Sequence, residues 1–258
     1  VSIKSEAPTT FPAVVICNIN PYDGEVTRKR MLAIIKNKSI TMQSSSTARE
    51  YTQKISDQLK SSFEYQNTKK DPKFNINGQG FYLMQMLISC EYQGTQCQAS
   101  DFYPYHDYNY GNCFRFNGLD PNASITEYDY VGDRELKQST KAGWRNGLSL
   151  ELTVGHPNLQ QQYVYKSGFR VIVHNQSTTP FPDENGIDVS PGQQTNVAIS
   201  RTFINRLSQP YSDCIDELTT KRAAGNEMLL EQLSLIRKSV LKKYEQEICL
   251  KICYQKYA

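Results

Sequence analysis

Seven cysteines restrict this chain more than any other feature: Cys17, Cys90, Cys97, Cys113, Cys214, Cys249 and Cys253. The number is odd, so at least one has no partner within the chain. In a reducing compartment such residues would be buried thiols, catalytic thiols or metal ligands. In an oxidising one they form bridges. Three N-glycosylation sequons favour the oxidising compartment, at Asn37 (Asn37-Lys38-Ser39), Asn122 (Asn122-Ala123-Ser124) and Asn175 (Asn175-Gln176-Ser177). The cysteines are therefore read as an extracellular disulfide framework that the chain leaves incomplete.

At 258 residues the chain can bury a real core, as one large domain or two smaller ones. It does not need bridges merely to fold. Its 29 basic and 26 acidic residues give a net charge of +3. That balance argues against nucleic acid or an anionic membrane surface as a partner. A spanning helix needs about 20 mostly apolar residues, whereas uninterrupted apolar runs such as Ala13 to Cys17 are only five residues long. Val1-Ser2-Ile3-Lys4 leads into polar residues and does not read as a signal peptide. Export is expected to rely on a removed signal or on flanking membrane segments.

Phe11 to Ile19 reads as a strand, because Val14-Val15-Ile16 is a β-branched run with Pro12 near its start. An unbroken apolar run predicts burial on both faces. Thr47 to Phe63 reads as a helix. Thr47 and Glu50 make a capping box, and Ala48, Tyr51, Ile55, Leu59 and Phe63 recur at spacings of three and four. A shorter helix is expected over Phe81 to Ser89, with its methionines in the core. Beyond Cys90 the signals are mainly β, with strands expected at Asn112–Asn117, Leu148–Val154, Phe169–His174 and Thr195–Ser200. Pro191-Gly192 marks a turn. From Asn226 a long amphipathic helix carries Leu229, Leu233, Ile236, Val240, Tyr244, Ile248 and Ile252, with Cys249 and Cys253 one turn apart.

Chemistry-bearing motifs are missing from the sequence. The three histidines, His106, His156 and His174, have no partner at zinc-ligand spacing. There is no nucleophile elbow, phosphate loop or dinucleotide fingerprint. Cys249-x3-Cys253 permits half a metal site, but no second pair accompanies it, and disulfides are the better reading. No catalytic residue, metal site or cofactor is assigned. Phe102 to Tyr110 holds five aromatics in nine residues. That density suits either a ligand-contacting surface or packing in a β-rich domain, and packing is the preferred reading.

Several segments then form an ordered pattern. Phe11-Pro12-Ala13-Val14-Val15-Ile16-Cys17-Asn18-Ile19-Asn20 is followed by Leu87-Ile88-Ser89-Cys90 with Cys97, then Gly111-Asn112-Cys113-Phe114-Arg115-Phe116-Asn117. Gly147-Leu148-Ser149-Leu150, Gly168-Phe169-Arg170-Val171-Ile172-Val173-His174, Pro191-Gly192 and Pro210-Tyr211 with Cys214 complete it. In this order the set resembles the degenerin, epithelial sodium channel and acid-sensing channel family. The resemblance implies an α+β fold, with an antiparallel β palm and β-ball, a helical finger and a first thumb helix. The palm strand would take residues 1–20, mainly finger 21–90, palm and β-ball strands 91–213, and the start of the thumb 214–258. The rest of thumb and palm would lie outside the chain.

The resemblance also implies function. The chain would be the extracellular region of a gated sodium channel subunit in the plasma membrane, working as a homo- or hetero-trimer. Sodium ions would pass through transmembrane helices elsewhere in the subunit; the stimulus would be protons, a peptide or mechanical force, unless opening is constitutive. Cys17 would bond to Cys113 and Cys90 to Cys97, while Cys214, Cys249 and Cys253 would await partners further along. Tyr211 would couple the extracellular region to the gate, or else be a packing aromatic beside Pro210. The family's acid-sensing members carry an acidic pair where this chain has Gln160-Gln161-Gln162-Tyr163. Neutral amides cannot share a proton as close carboxylates do. A secreted or receptor-type binding module without conduction remains the alternative.

Overall fold

The computed structural model describes residues 8–37, 47–69, 75–118, 136–155, 166–176, 178 and 180–202. The chain divides into two units. One comprises residues 1–117, 138–174 and 180–195; the other comprises 118–137, 175–179 and 196–258. In the second unit the described residues are 118, 136–137, 175–176, 178 and 196–202.

The first unit combines helices with antiparallel sheets. In chain order its elements begin with β1 (Thr9–Thr10), β2 (Ala13–Asn18), α1 (Gly24–Asn37) and α2 (Ala48–Thr68). Next come α3 (Leu83–Met86), β3 (Leu87–Tyr92), β4 (Thr95–Gln96), β5 (Phe102–Asp107) and β6 (Gly111–Phe116). Last are β7 (Gln138–Ser139), β8 (Leu148–Leu152), β9 (Phe169–His174), α4 (Pro182–Asn185) and β10 (Ile187–Val189). A five-stranded sheet runs β10-β9-β2-β6-β5, and a three-stranded one runs β4-β3-β8.

β2 lies at the centre of the larger sheet, and all six of its residues are buried. Val14 and Ile16 enter one core with Phe102, Phe114, Phe116 and Phe169. Cys90, Tyr92 and the half-buried Leu148, Leu150 and Leu152 join that core from the smaller sheet. Val15 and Cys17 point to the opposite face, where they pack with Cys113 and Ile172. The apolar run is therefore buried on both faces, as a continuous β-branched run requires. β8 alternates half-buried leucines with exposed Ser149 and Glu151, so it covers the core on one side only. β5 is an edge strand, which is where Pro104 can be held without a missing ladder bond.

Helices α1 and α2 pack together through Met31, Ile55, Leu59 and Phe63, with Tyr22 closing one end. Tyr22 meets Phe63 edge-on at 4.9 Å, and the Arg30 guanidinium lies 5.5 Å above the same ring. The capping box of α2 is formed as expected. Glu50 N donates to Thr47 Oγ1 at 3.2 Å, and Thr47 N donates to Glu50 Oε2 at 3.0 Å. Thr47→Ala leaves Glu50 N without its acceptor. It is expected to cost about 1 kcal/mol, read as faster amide exchange confined to the first turn of α2.

Two expectations are corrected. The helix expected over Phe81–Ser89 is only the single turn Leu83–Met86, and the chain is a strand from Leu87. Pairing of β3 with β8, from Leu87 opposite Leu152 to Tyr92 opposite Leu148, outweighs local helical periodicity. The register shifts between Leu87 and Ser89, and Ile88 is exposed; of the two methionines expected in the core, Met86 is fully buried but Met84 is exposed. The strand expected at Thr195–Ser200 is irregular and exposed, because no described strand pairs with it. Pro191-Gly192 does form a turn, with Gly192 at φ 75°.

Candidate functional site

The cysteines set the geometry first. Cys17 on β2 stands directly opposite Cys113 on β6, with their Cα atoms 4.4 Å apart. That separation suits a directly opposed antiparallel pair without ladder bonds, and the two are joined as a disulfide across 96 residues of chain. Both are fully buried. Cys90 and Cys97 are also bonded, across 7 residues. Their bridge clasps the β3–β4 hairpin, where Cys97 N also donates to Cys90 O at 3.0 Å.

Beside the buried disulfide, Tyr105 brings its hydroxyl 3.9 Å from Cys17 Sγ. Burial pushes the Tyr105 phenol well above its ordinary pKa; Asp107 adds to the rise and Arg115 opposes it. The Arg115 guanidinium lies 5.5 Å over the Tyr105 ring, and burial lowers its own proton affinity.

The chain leaves β2 through a stepped set of asparagine turns. Asn18 Oδ1 accepts Asn20 N at 2.9 Å, and Asn20 Oδ1 accepts Tyr22 N at 3.4 Å. Short polar side chains do this because they reach the backbone two residues on. The base of the helical pair is then stitched to neighbouring elements. Asp23 N donates to Gln79 O at 2.9 Å, and Gln85 Nε2 donates to Asp23 Oδ2 at 3.0 Å. Asn112 on β6 donates to Asn77 O at 2.6 Å and to Phe81 O at 3.2 Å.

A charged cluster occupies the end of the sheet formed by the β5–β6 turn, α4 and β10. Asp107 Oδ1 accepts the backbone N–H groups of Asn109 and Tyr110 at 2.8 and 3.0 Å, which fixes the turn. Lys60 of α2 donates to Asn109 Oδ1 at 3.1 Å, and Asn109 Nδ2 donates to Asp183 Oδ2 at 2.6 Å. Arg170 of β9 reaches Pro182 O at 2.6 Å, Asp183 O at 3.0 Å and Asp188 Oδ1 at 2.9 Å. Burial lowers the Lys60 pKa, and Asp57, Asp183 and Asp107 oppose the fall. Burial likewise raises the Tyr110 phenol, with Arg170 acting against it.

The aromatic segment divides between packing and surface. Phe102 is buried in the core, 5.4 Å from Phe116, whereas Tyr108 is exposed. Asn175 is exposed just past β9, and its carbonyl accepts the backbone N–H and the hydroxyl of Thr178. Asn37 ends α1. Asn122, Gln160, Tyr211, Cys214, Cys249, Cys253 and the helix from Asn226 lie outside the described residues. Among the described residues no group of acidic, histidine or cysteine side chains is arranged to hold a metal, and no helix is long and apolar enough to cross a membrane.

Sequence reasoning missed Lys60, Asn109 and Asp183. The one local signal was Arg170, a charge inside the apolar run Phe169 to Val173.

A profile of the family described as amiloride-sensitive sodium channel matches residues 1–258. The FMRFamide-activated amiloride-sensitive sodium channel of Cornu aspersum is 29% identical over 84% of this chain and 33% of its own length. The acid-sensing ion channel 1C of Danio rerio is 27% identical over 80% of this chain and 39% of its own. The gamma subunit of the epithelial sodium channel of Pelodiscus sinensis is 28% identical over 69% of this chain and 23% of its own. The chain thus spans a quarter to two-fifths of the length of these relatives. The match over every residue from 1 to 258 settles the family: this chain belongs to the amiloride-sensitive sodium channel family.

Proposed function

We propose that the chain is extracellular and belongs to a subunit of a gated sodium channel in the plasma membrane. On this reading it senses a stimulus and passes it to a pore built from transmembrane helices elsewhere in the subunit. The observation that carries the reading is the family match over residues 1–258, together with similarity to a peptide-activated relative across 84% of the chain. The larger sheet around β2 would serve as palm and α1–α2 as finger. Residues 91–213 would supply the remaining palm and β-ball strands, and 214–258 would begin the thumb. Subunits would assemble as homo- or hetero-trimers. Asn37, Asn122 and Asn175 would carry glycans, and the exposure of Asn175 supports its use.

A short amidated peptide is the stimulus we favour over protons. Gln160, Gln161 and Gln162 stand where acid-sensing relatives hold an acidic pair, and amides do not titrate. The test is recording from cells that express the full-length subunit, with acid pulses and short amidated peptides applied in turn. Sodium current blocked by amiloride and evoked by peptide supports the reading. A subunit that reaches the surface and passes no current under any stimulus makes it a binding module instead.

Tyr211 is proposed to couple the extracellular region to the gate. Tyr211→Ala is expected to shift the half-activating stimulus by about tenfold, within the 1–3 kcal/mol range of coupling energies, at unchanged surface abundance. Parallel loss of current and surface protein would make Tyr211 a folding residue.

A further inference from the structure

The contact between α2 and the sheet end has the form of a latch. Lys60 is half-buried on α2, and its ammonium faces Asp57, Asp107 and Asp183. From there it donates a hydrogen bond across to the β5–β6 turn, at Asn109 Oδ1. Asn109 presents both ends of its amide, accepting from Lys60 and donating to Asp183 Oδ2. A neutral side chain thereby joins a cation to an anion on opposite sides of it, and each charge strengthens the bond it makes. The turn that holds Asn109 is itself fixed by Asp107.

The far side of the latch is anchored to the sheet. Arg170 binds the carbonyls of Pro182 and Asp183, so α4 is fixed to β9. Its guanidinium also pairs with Asp188 on β10 at 2.9 Å. A Cβ at position 186 would overlap the Arg170 side chain, so Gly186 leaves the space that Arg170 occupies. β9 pairs with β2 through six residues, from Ala13 opposite His174 to Asn18 opposite Phe169. Movement of α2 at Lys60 is thus linked through Asn109, Asp183 and Arg170 to the strand that carries the buried disulfide.

We propose that Lys60, Asn109 and Asp183 form a three-residue latch that fixes α2 to the sheet, and that its release uncouples the helical pair from β9 and β2. Lys60 and Asp183 are positioning residues here, since they act through Asn109. The latch is a property of the fold and does not depend on the channel reading.

The test is hydrogen exchange in the full-length subunit, comparing peptides from α2 with peptides from β2. Lys60→Met keeps the aliphatic stem and helix propensity but removes the ammonium. It is expected to lower protection around residue 60 by about fivefold, the upper end for a partly exposed charged contact. Asn109→Ala and Asp183→Ala are expected to do the same. The double variant of Lys60→Met with Asp183→Ala should lose no more than either single, because both break one latch. A loss near the product, about 25-fold, would show independent effects and overturn the proposal. Unchanged protection in Lys60→Met would overturn it equally. Lys60→Arg should retain protection, and Lys54→Met, which removes the same charge from an exposed position on α2, should leave it unaltered. If the subunit conducts, Lys60→Met should also shift half-activation. Normal gating in a variant with an opened α2 would refute the uncoupling, while the exchange data judge the latch by itself.

Discussion

Replacing both Cys17 and Cys113 with alanine is expected to lower the stability of the fold by about 4–5 kcal/mol, the value the chain-entropy model assigns to so long a loop. The bridge closes 96 residues of sequence, and most of the unfolded chain's freedom to separate β2 from β6 disappears with it. Removing Cys90 and Cys97 together should cost only about 2–3 kcal/mol, because that bridge closes 7 residues. Global stabilities lie near 5–15 kcal/mol. The first pair of changes therefore takes a large share of the total, and the second leaves a folded protein. Thermal midpoints should fall by roughly 10–20 °C for the long bridge and by about half that for the short one.

The contrast has a second source. Cys17 and Cys113 are both fully buried against Val15 and Ile172, so their removal also leaves unfilled space in a packed face. A single change such as Cys113→Ala should be worse than the double change, since it leaves Cys17 as a lone thiol open to wrong pairing in an oxidising compartment. Surface yield after expression reads this directly. Equal losses from the long and short bridges would show that the 96-residue loop adds nothing to the denatured state's cost.

Local sequence signals were enough wherever a structural decision is local. Val14-Val15-Ile16 announces a strand buried on both faces, and the reciprocal pair Thr47 and Glu50 announces the start of α2. The end of α2 was less visible. It runs to Thr68, beyond Phe63, and its last turns carry Gln66, which accepts a hydrogen bond from Arg30. Helix α1 was not anticipated. Its apolar contacts are few, Met31 with Ile34 and Ile35, and it is held by packing on α2 rather than by its own periodicity. Leu87 to Ser89 reads locally as a helix continuation, and only the distant β8 makes it a strand.

The family was legible from an ordered set of short motifs, although no single motif is specific. The charged latch was not legible at all. Lys60 and Asn109 are 49 residues apart in sequence, and Asn109 and Asp183 are 74 apart. Nothing local marks a helix lysine or a turn asparagine as partners across such distances. Cysteine spacing alone likewise left the pairing open; it is the register of β2 on β6 that places Cys17 opposite Cys113.

That same register places Gly111 against the root of the helical pair, and Gly111→Ala is expected to destabilise the fold by about 3 kcal/mol or more. Two costs add. Gly111 has φ 65°, a left-handed conformation that costs an L-residue roughly 1–2 kcal/mol. A Cβ there would also overlap the Pro21 carbonyl oxygen and approach its carbonyl carbon at 3.1 Å and its Cα at 3.2 Å. These are backbone atoms of a buried proline one residue before Tyr22, so no side-chain rotation relieves the clash. Gly94 is the matched control. It has φ 77°, but its nearest neighbour would be Glu91 Oε1 at 4.0 Å. Gly94→Ala should therefore show the conformational cost alone, about 1–2 kcal/mol. The excess in Gly111→Ala measures how tightly the β5–β6 turn is seated under the chain entering α1. It should appear as a midpoint several degrees below that of Gly94→Ala, at roughly 2–4 °C per kcal/mol. Equal midpoints would mean that Pro21 and Gly111 separate freely. The helical pair would then be joined to the sheet less rigidly than the bonds from Asn112 to Asn77 and Phe81 require.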